Sequence, residues 1–197
     1  MSPSTATTVA PRERLFVACE LTDATRVYLA PFVAEVTERL GAHPVPPSDL
    51  HLTLVFLGAT PSARIPAICD ALTDAGIRRR PIRAGLVCVS GTPGHRTTRI
   101  VAAVFEDPGD AFSRTATAVA QALAPMCKLA PVPMPFWPHV TLARLRTPLP
   151  VTPIPAKSEQ MFAFDRVTLY ASRSAPRGPT QYVPLARIAL RANDSPH

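Results

Sequence analysis

Residues 51–54 read His-Leu-Thr-Leu and residues 139–142 read His-Val-Thr-Leu, so two of the chain's five histidines head the same four-residue phrase, 88 residues apart. On an extended strand side chains alternate. His51 and Thr53 therefore share one face with Leu52 and Leu54 behind them, and His139 and Thr141 share one with Val140 and Leu142 behind. Each strand has an apolar back for a core and a front carrying an imidazole and a hydroxyl about 7 Å apart. Set across a cleft, the two fronts supply two imidazoles, two hydroxyls and no carboxylate. Histidine titrates near neutrality, so one ring can take a proton from water while its twin gives one to a leaving oxygen. The hydroxyls can hold phosphate oxygens without adding charge. That is the inventory for cleaving a phosphodiester without a metal. Arg144 offers a cation three residues past Thr141, although alternation turns it to the opposite face unless the strand twists or bulges there.

A single His-x-Thr on a strand is ordinarily a hydrogen-bonded histidine at a sheet surface. Two copies, each with apolar residues at both alternate positions and each following a turn, point to function. A metal centre built on His51 and His139 lacks any Asp, Glu or Cys at the front-face positions to complete its shell, so no metal and no other cofactor is expected.

The elements that must position these phrases follow from pattern. Leu15 to Leu21 is an apolar run suited to a buried strand. Thr22 or Asp23 caps a helix that turns Val27, Phe32, Val33, Val36 and Leu40 inward and stops at Gly41, with Pro31 expected to kink or split it. His51 to Gly58 is the next strand, and Ser62 caps a helix with Ile65, Ile68 and Leu72 at helical spacing. Leu86 to Ser90 and Ile100 to Phe105 form a hairpin across Gly91 to Gly94. Asp107 or Asp110 opens a helix whose Phe112, Ala116, Val119 and Leu123 share a face. A proline-dense loop, Pro125 to Pro138, leads into the strand Val140 to Leu145, and Val167 to Tyr170 and Tyr182 to Leu190 close the fold. This order argues for an α+β fold with largely antiparallel sheets. One phrase opens a strand in each half of the chain, which suggests an internal duplication.

The 197 residues suit one domain over 14–192, with a Ser/Thr/Ala/Pro-rich leader over 1–13 and a tail over 193–197. Lys and Arg outnumber Asp and Glu by 21 to 14, and the pI of 9.9 favours a polyanionic partner. Cys19, Cys69, Cys88 and Cys127 show neither finger spacing nor a C-x-x-C pair and read as reduced core thiols of a cytoplasmic protein. No apolar run is long enough to span a membrane, and no signal peptide is evident.

The flanks of the two phrases carry a resemblance. RLFVACEL at Arg14 to Leu21, DLHLTLVFLG at Asp49 to Gly58, FWPHVTLARL at Phe136 to Leu145 and VTLYASR at Val167 to Arg173 are together similar to the LigT-like branch of the two-histidine phosphoesterases, the RNA 2′,3′-cyclic phosphodiesterases. The resemblance covers nearly all of Arg14 to Leu190. It implies a bilobal α+β fold, two mostly antiparallel sheets with helices outside and a cleft between the lobes. It also implies RNA with a 2′,3′-cyclic phosphate end as substrate and a 2′-phosphate as product. By its first motif His51 is the proton donor, by its second His139 is the proton acceptor, and Thr53 and Thr141 bind the phosphate. Chemistry alone does not tell the two histidines apart. Two positions depart from the family: His43-Pro44-Val45-Pro46-Pro47 stands where an aromatic-basic pair is usual, and Ala102 or Ala103 where a tryptophan is usual. Both bear on base and length preference rather than on phosphate chemistry.

Phe136 and Trp137, just before His139, could stack on a base or simply pack the loop. Tyr170 and Arg173 could line the cleft. His43, His95 and His197 read as exposed loop or terminal histidines, and Arg78, Arg79 and Arg80 as a solvated basic cluster able to meet a phosphate backbone. Two other readings share the cleft: an RNA end-joining enzyme akin to a 2′-5′ RNA ligase, and a non-catalytic module that holds RNA ends. The expected state is a monomer away from membranes.

Overall fold

The structure, a computed structural model, describes residues 10–74, 80–92, 97–156, 158–174 and 180–190. His95, His197, Arg78, Arg79, residues 93–96 and most of the expected leader and tail lie outside the described residues. Along the chain run β1 (Arg12–Glu20), α1 (Asp23–Leu40), β2 (His43–Pro44), β3 (His51–Pro61), α2 (Ile65–Asp74), β4 (Ile82–Thr92) and β5 (Thr98–Phe105). There follow α3 (Ala111–Leu123), β6 (His139–Leu149), β7 (Ile154–Pro155), β8 (Met161–Phe164), β9 (Arg166–Ser174) and β10 (Thr180–Ala189).

All strand pairs are antiparallel, in the order β10-β9-β1-β3-β6-β5-β4-β7, with β2 on β6 and β8 on β4. Four strands, β10 to β3, form one lobe; β6, β5 and β4 with their short partners form the other. One residue pair, Leu52 with Val140, joins them. The sheet thus divides into two mostly antiparallel halves that meet where the two histidine phrases begin, in the bilobal α+β arrangement expected.

Capping and periodicity account for α1 and α3, whereas Ser62 does not cap α2 but opens a short 3-10 turn, Ser62–Arg64, ahead of it. Thr22 accepts a hydrogen bond from Thr25 N at 3.2 Å, and Gly41 ends α1 in the left-handed region at φ 58°. Pro31 lies inside an unbroken α1 rather than splitting it. Its side chain is exposed, as is that of Val27, whose carbonyl the missing N–H would have served; Val27 is 73% exposed, not inward. Leu29 is buried in its place, while Val36 is buried as expected and Phe32, Val33 and Leu40 pack partly on the core. At α3, Asp107 accepts from Phe112 N at 2.7 Å and Ser113 N at 3.2 Å, and the Phe112, Ala116, Val119 and Leu123 face is fully buried. Phe112 meets Phe164 edge-on at 5.0 Å, and each such buried ring is worth about 1.5–3 kcal/mol. One core runs behind both half-sheets, since α1 packs on β6 and α3 on β3. The helices therefore brace the backs of the lobes and leave the fronts to the site. β2, β7 and β8 were not expected; each is four residues or fewer and is defined only by its partner strand.

Candidate active site

His51 opens β3 and His139 opens β6. Leu52 and Val140 are fully buried, while His51, Thr53, His139 and Thr141 are half-buried on the front. Leu52 pairs with Val140, the second residue of one phrase against the second of the other, which is what a local two-fold axis through that pair requires. Continuing the antiparallel register by one residue each way sets His51 toward Thr141 and Thr53 toward His139. The four predicted residues thus converge at the junction of the lobes.

Each imidazole is held the same way. His51 Nδ1 lies 2.6 Å from the Asp49 carbonyl oxygen and His139 Nδ1 lies 2.8 Å from that of Trp137, both two residues upstream. A carbonyl only accepts, so Nδ1 carries the hydrogen in both rings and, among the described residues, Nε2 has no hydrogen-bond partner.

A second shared feature brings Arg144 to the front. Thr53 pairs with Ala18 but Val55 with Val17, and Thr141 pairs with Ala102 but Ala143 with Val101, so each strand bulges directly after its threonine. Two consecutive residues, Leu54 and Val55 or Leu142 and Ala143, then face the core. The phase resets, and Phe56 and Arg144 emerge at equivalent front positions, opposite Phe16 and Ile100 respectively. The positive charge of Arg144 reaches His51.

The surroundings of the two rings differ. His51 lies against Phe16 at 4.8 Å, edge-on to Tyr182 at 5.0 Å and 6.0 Å from Tyr170. Burial there pushes its pKa down to about 4; the Asp49 carbonyl opposes the shift, and the charges of Arg144 and His139 add to it. His139 stacks on Trp137 at 4.3 Å. Its pKa is also lowered by burial, against the pull of the Trp137 carbonyl.

Glu20, opposite His51 in register, gathers Arg187 at 2.7 Å, Thr168 at 2.9 Å, Tyr170 at 3.2 Å and Arg166 at 3.5 Å. Burial raises its pKa and these partners outweigh that, so the carboxyl sits below its usual range. Tyr170 in turn stacks on Phe16 at 5.2 Å, and Phe16 carries His51. A concavity of about 550 Å³ lined by Arg14, His43, Arg144, Ser172 and Tyr182 opens on one side of this cluster. A second of about 470 Å³, lined by Glu20, Arg26, Asp49 and Arg187, shares Tyr182 with the first.

Of the other sequence candidates, Trp137 covers the His139 ring and is 36% exposed, whereas Phe136 packs partly on the core. Tyr170 borders His51; Arg173 is tied to Glu13 at 3.0 Å. His43 is not in a loop: it forms β2 opposite Arg144, and its Nε2 accepts from Arg146. Phe16, Glu20, Phe56 and Tyr182 were missed. Glu20, a carboxylate within an apolar strand run, was the one with a visible signal. Among the described residues, no three His, Cys, Asp or Glu side chains gather closely enough to hold a metal ion.

Comparison with known proteins bears on the family and the fold. Residues 26–175 match the 2′-5′ RNA ligase superfamily. The chain is 32% identical over 183 residues to a Thermus thermophilus protein named RNA 2′,3′-cyclic phosphodiesterase, covering 90% of each. Its fold matches the crystal structure of the Thermus thermophilus protein TT0787 with TM-score 0.76 at 31% identity, over 91% of this chain and 99% of that one. It matches E. coli LigT complexed with 3′-AMP with TM-score 0.74 at 29% identity, over 92% and 99%. With a motif pair set across a two-lobed sheet and a match over most of its length, the chain belongs to the 2′-5′ RNA ligase superfamily.

Proposed function

We propose that the chain hydrolyses RNA 2′,3′-cyclic phosphate ends to 2′-phosphates by two-histidine acid-base catalysis. The observation that carries this is the pair of imidazoles at the lobe junction, each with Nδ1 fixed to a backbone carbonyl and Nε2 left free for substrate. The similar Thermus protein bears that activity as its name, and the similar LigT was crystallised with a nucleoside monophosphate.

In the proposed reaction His139 Nε2 takes a proton from water as the oxygen attacks phosphorus. The bond from phosphorus to the ribose 3′ oxygen breaks, and His51 gives that oxygen its proton. Thr53 and Thr141 donate hydroxyl hydrogens to the non-bridging oxygens, and the Arg144 guanidinium offsets their charge. The order of the two histidines comes from the family resemblance, and the site electrostatics set a condition on it. With a pKa of about 4, roughly one His51 in a thousand carries a proton at neutral pH in the unliganded site. Burial is the main cause of that depression, and a bound phosphodiester anion offsets the Arg144 charge that adds to it, which raises that fraction. A proton donor of low pKa is also a strong one. Trp137, and Phe56 at the position equivalent to Arg144, are the aromatic surfaces open to a base.

Thiols with no disulfide among them fit the cytoplasm; among the described residues no helix is long and apolar enough to cross a membrane. The test is turnover of a 2′,3′-cyclic nucleotide in strong chelator, with the product's phosphate located by NMR. A 2′-phosphate is expected. A 3′-phosphate, or turnover abolished by chelator and restored by zinc, overturns the proposal. RNA with cyclic-phosphate and 5′-hydroxyl ends, supplied together, lengthens if the chain joins ends instead.

A further inference from the structure

A concavity of about 340 Å³ lies at the start of β4 and the first turns of α3, away from the histidines, bordered by Arg80, Ile82, Arg83, Pro108, Arg114 and Thr115. Among the described residues, three arginines border it and no acidic residue does. Of the acids nearest in sequence, Asp107 holds Phe112 N, Ser113 N and the Ser113 hydroxyl, the Glu106 carboxylate lies over Gly85, and Asp110 lines a neighbouring hollow beside Arg114 rather than this one. Arg114 donates to the Gly109 carbonyl, a contact that leaves its charge unneutralised. Among the described residues, the Arg80 and Arg83 side chains make no ion pair or hydrogen bond. Gathering three cations around one hollow raises their mutual repulsion, a cost an anion would relieve.

The hollow is tied to the catalytic strand. Phe105 N donates to the Pro138 carbonyl, one residue before His139, and Glu106 N donates to the Gly85 carbonyl, two residues past Arg83. The route from His139 crosses to Val104 on β5 and to β4 at the Leu86–Phe105 pair, then runs three residues to Arg83. At about 3.3 Å per residue and about 5 Å per strand crossing that is on the order of 20 Å. A mononucleotide seated at the histidines does not span it; a strand of several nucleotides does.

The geometry points to a second anion site, in which Arg80, Arg83 and Arg114 hold a backbone phosphate of the RNA strand upstream of the end being hydrolysed. This rests on the RNA reading above. Its consequence is a preference for oligonucleotides over mononucleotides that arises outside the catalytic cleft.

The test compares the wild-type chain with R83A/R114A and the charge reversal R83E on two substrates, a 2′,3′-cyclic mononucleotide and a decanucleotide ending in a cyclic phosphate. Binding of a 3′-hydroxyl decanucleotide is followed by fluorescence anisotropy across a salt series. For R83A/R114A, KM for the decanucleotide is expected to rise about tenfold or more. The slope of log affinity against log salt should flatten by about 0.7 per arginine removed. Mononucleotide turnover, which also reports correct folding, should stay within about twofold. Inorganic phosphate should compete with the decanucleotide in the wild-type chain more than in the variant. Unchanged decanucleotide KM and salt slope overturn the site, as does an equal loss on both substrates. If the wild-type chain turns over neither substrate, the proposed function falls while the anisotropy series still decides the arginine site.

Discussion

His51 is predicted to make this protein lose stability on mild acidification, by an amount the structure fixes. Packed between Phe16, Tyr170 and Tyr182, it has a pKa of about 4 in the fold against 6.5 for the exposed side chain. The folded pKa is the lower one, so between these values the unfolded chain binds more protons, and stability falls as pH falls through 6.5 toward 4. At about 1.4 kcal/mol per pH unit between the two values, lowering the pH from 7.5 to 5 should cost about 2 kcal/mol from this residue alone. The assay is urea unfolding of the wild-type chain and of His51→Gln at both pH values. The difference between the two proteins isolates His51 from His139, whose pKa is lowered too. The wild type should lose about 2 kcal/mol more than the variant. A proton-detected titration should find the His51 ring neutral, with hydrogen on Nδ1, down to about pH 5. Equal acid sensitivity of the two proteins, or a His51 midpoint near 6.5, would refute the buried, aromatic-walled site.

Other outcomes follow from the same geometry. Arg144→Met should raise KM for a cyclic nucleotide by roughly 10- to 100-fold, as loss of a charged hydrogen bond implies, and should raise the His51 pKa in the same NMR titration. Glu20→Ala removes the acceptor shared by Arg187, Thr168 and Tyr170 and should cost about 1–3 kcal/mol in urea unfolding. Gly91→Ala would set a methyl 2.6 Å from Thr98 Cγ2 and 3.1 Å from Val151 Cβ; it should cost about 1–3 kcal/mol, read as a lowered Tm.

What the sequence disclosed was whatever a local period controls. The two His-x-Thr phrases show their faces by alternation alone, and Phe112, Ala116, Val119 and Leu123 show theirs by helical spacing. Arg144 was undecidable in the same terms, because alternation places it behind the strand. Only the Ala102 and Val101 register reveals the bulge that turns it forward. Phe56 depended on the matching bulge in β3. Tyr182 reaches His51 through β9 and β1, pairings set by long-range topology. His43 read as a loop residue because a two-residue strand has no period, and Pro31 read as a break because sequence does not show that its turn of helix faces outward.

The most direct measurement of the central claim, that two symmetry-placed imidazoles act as one acid-base pair, is kcat on a 2′,3′-cyclic nucleotide for His51→Ala and His139→Ala, each made separately and assayed in chelator. Both should fall by roughly 10²- to 10⁴-fold while remaining folded. Wild-type turnover in either variant would contradict it.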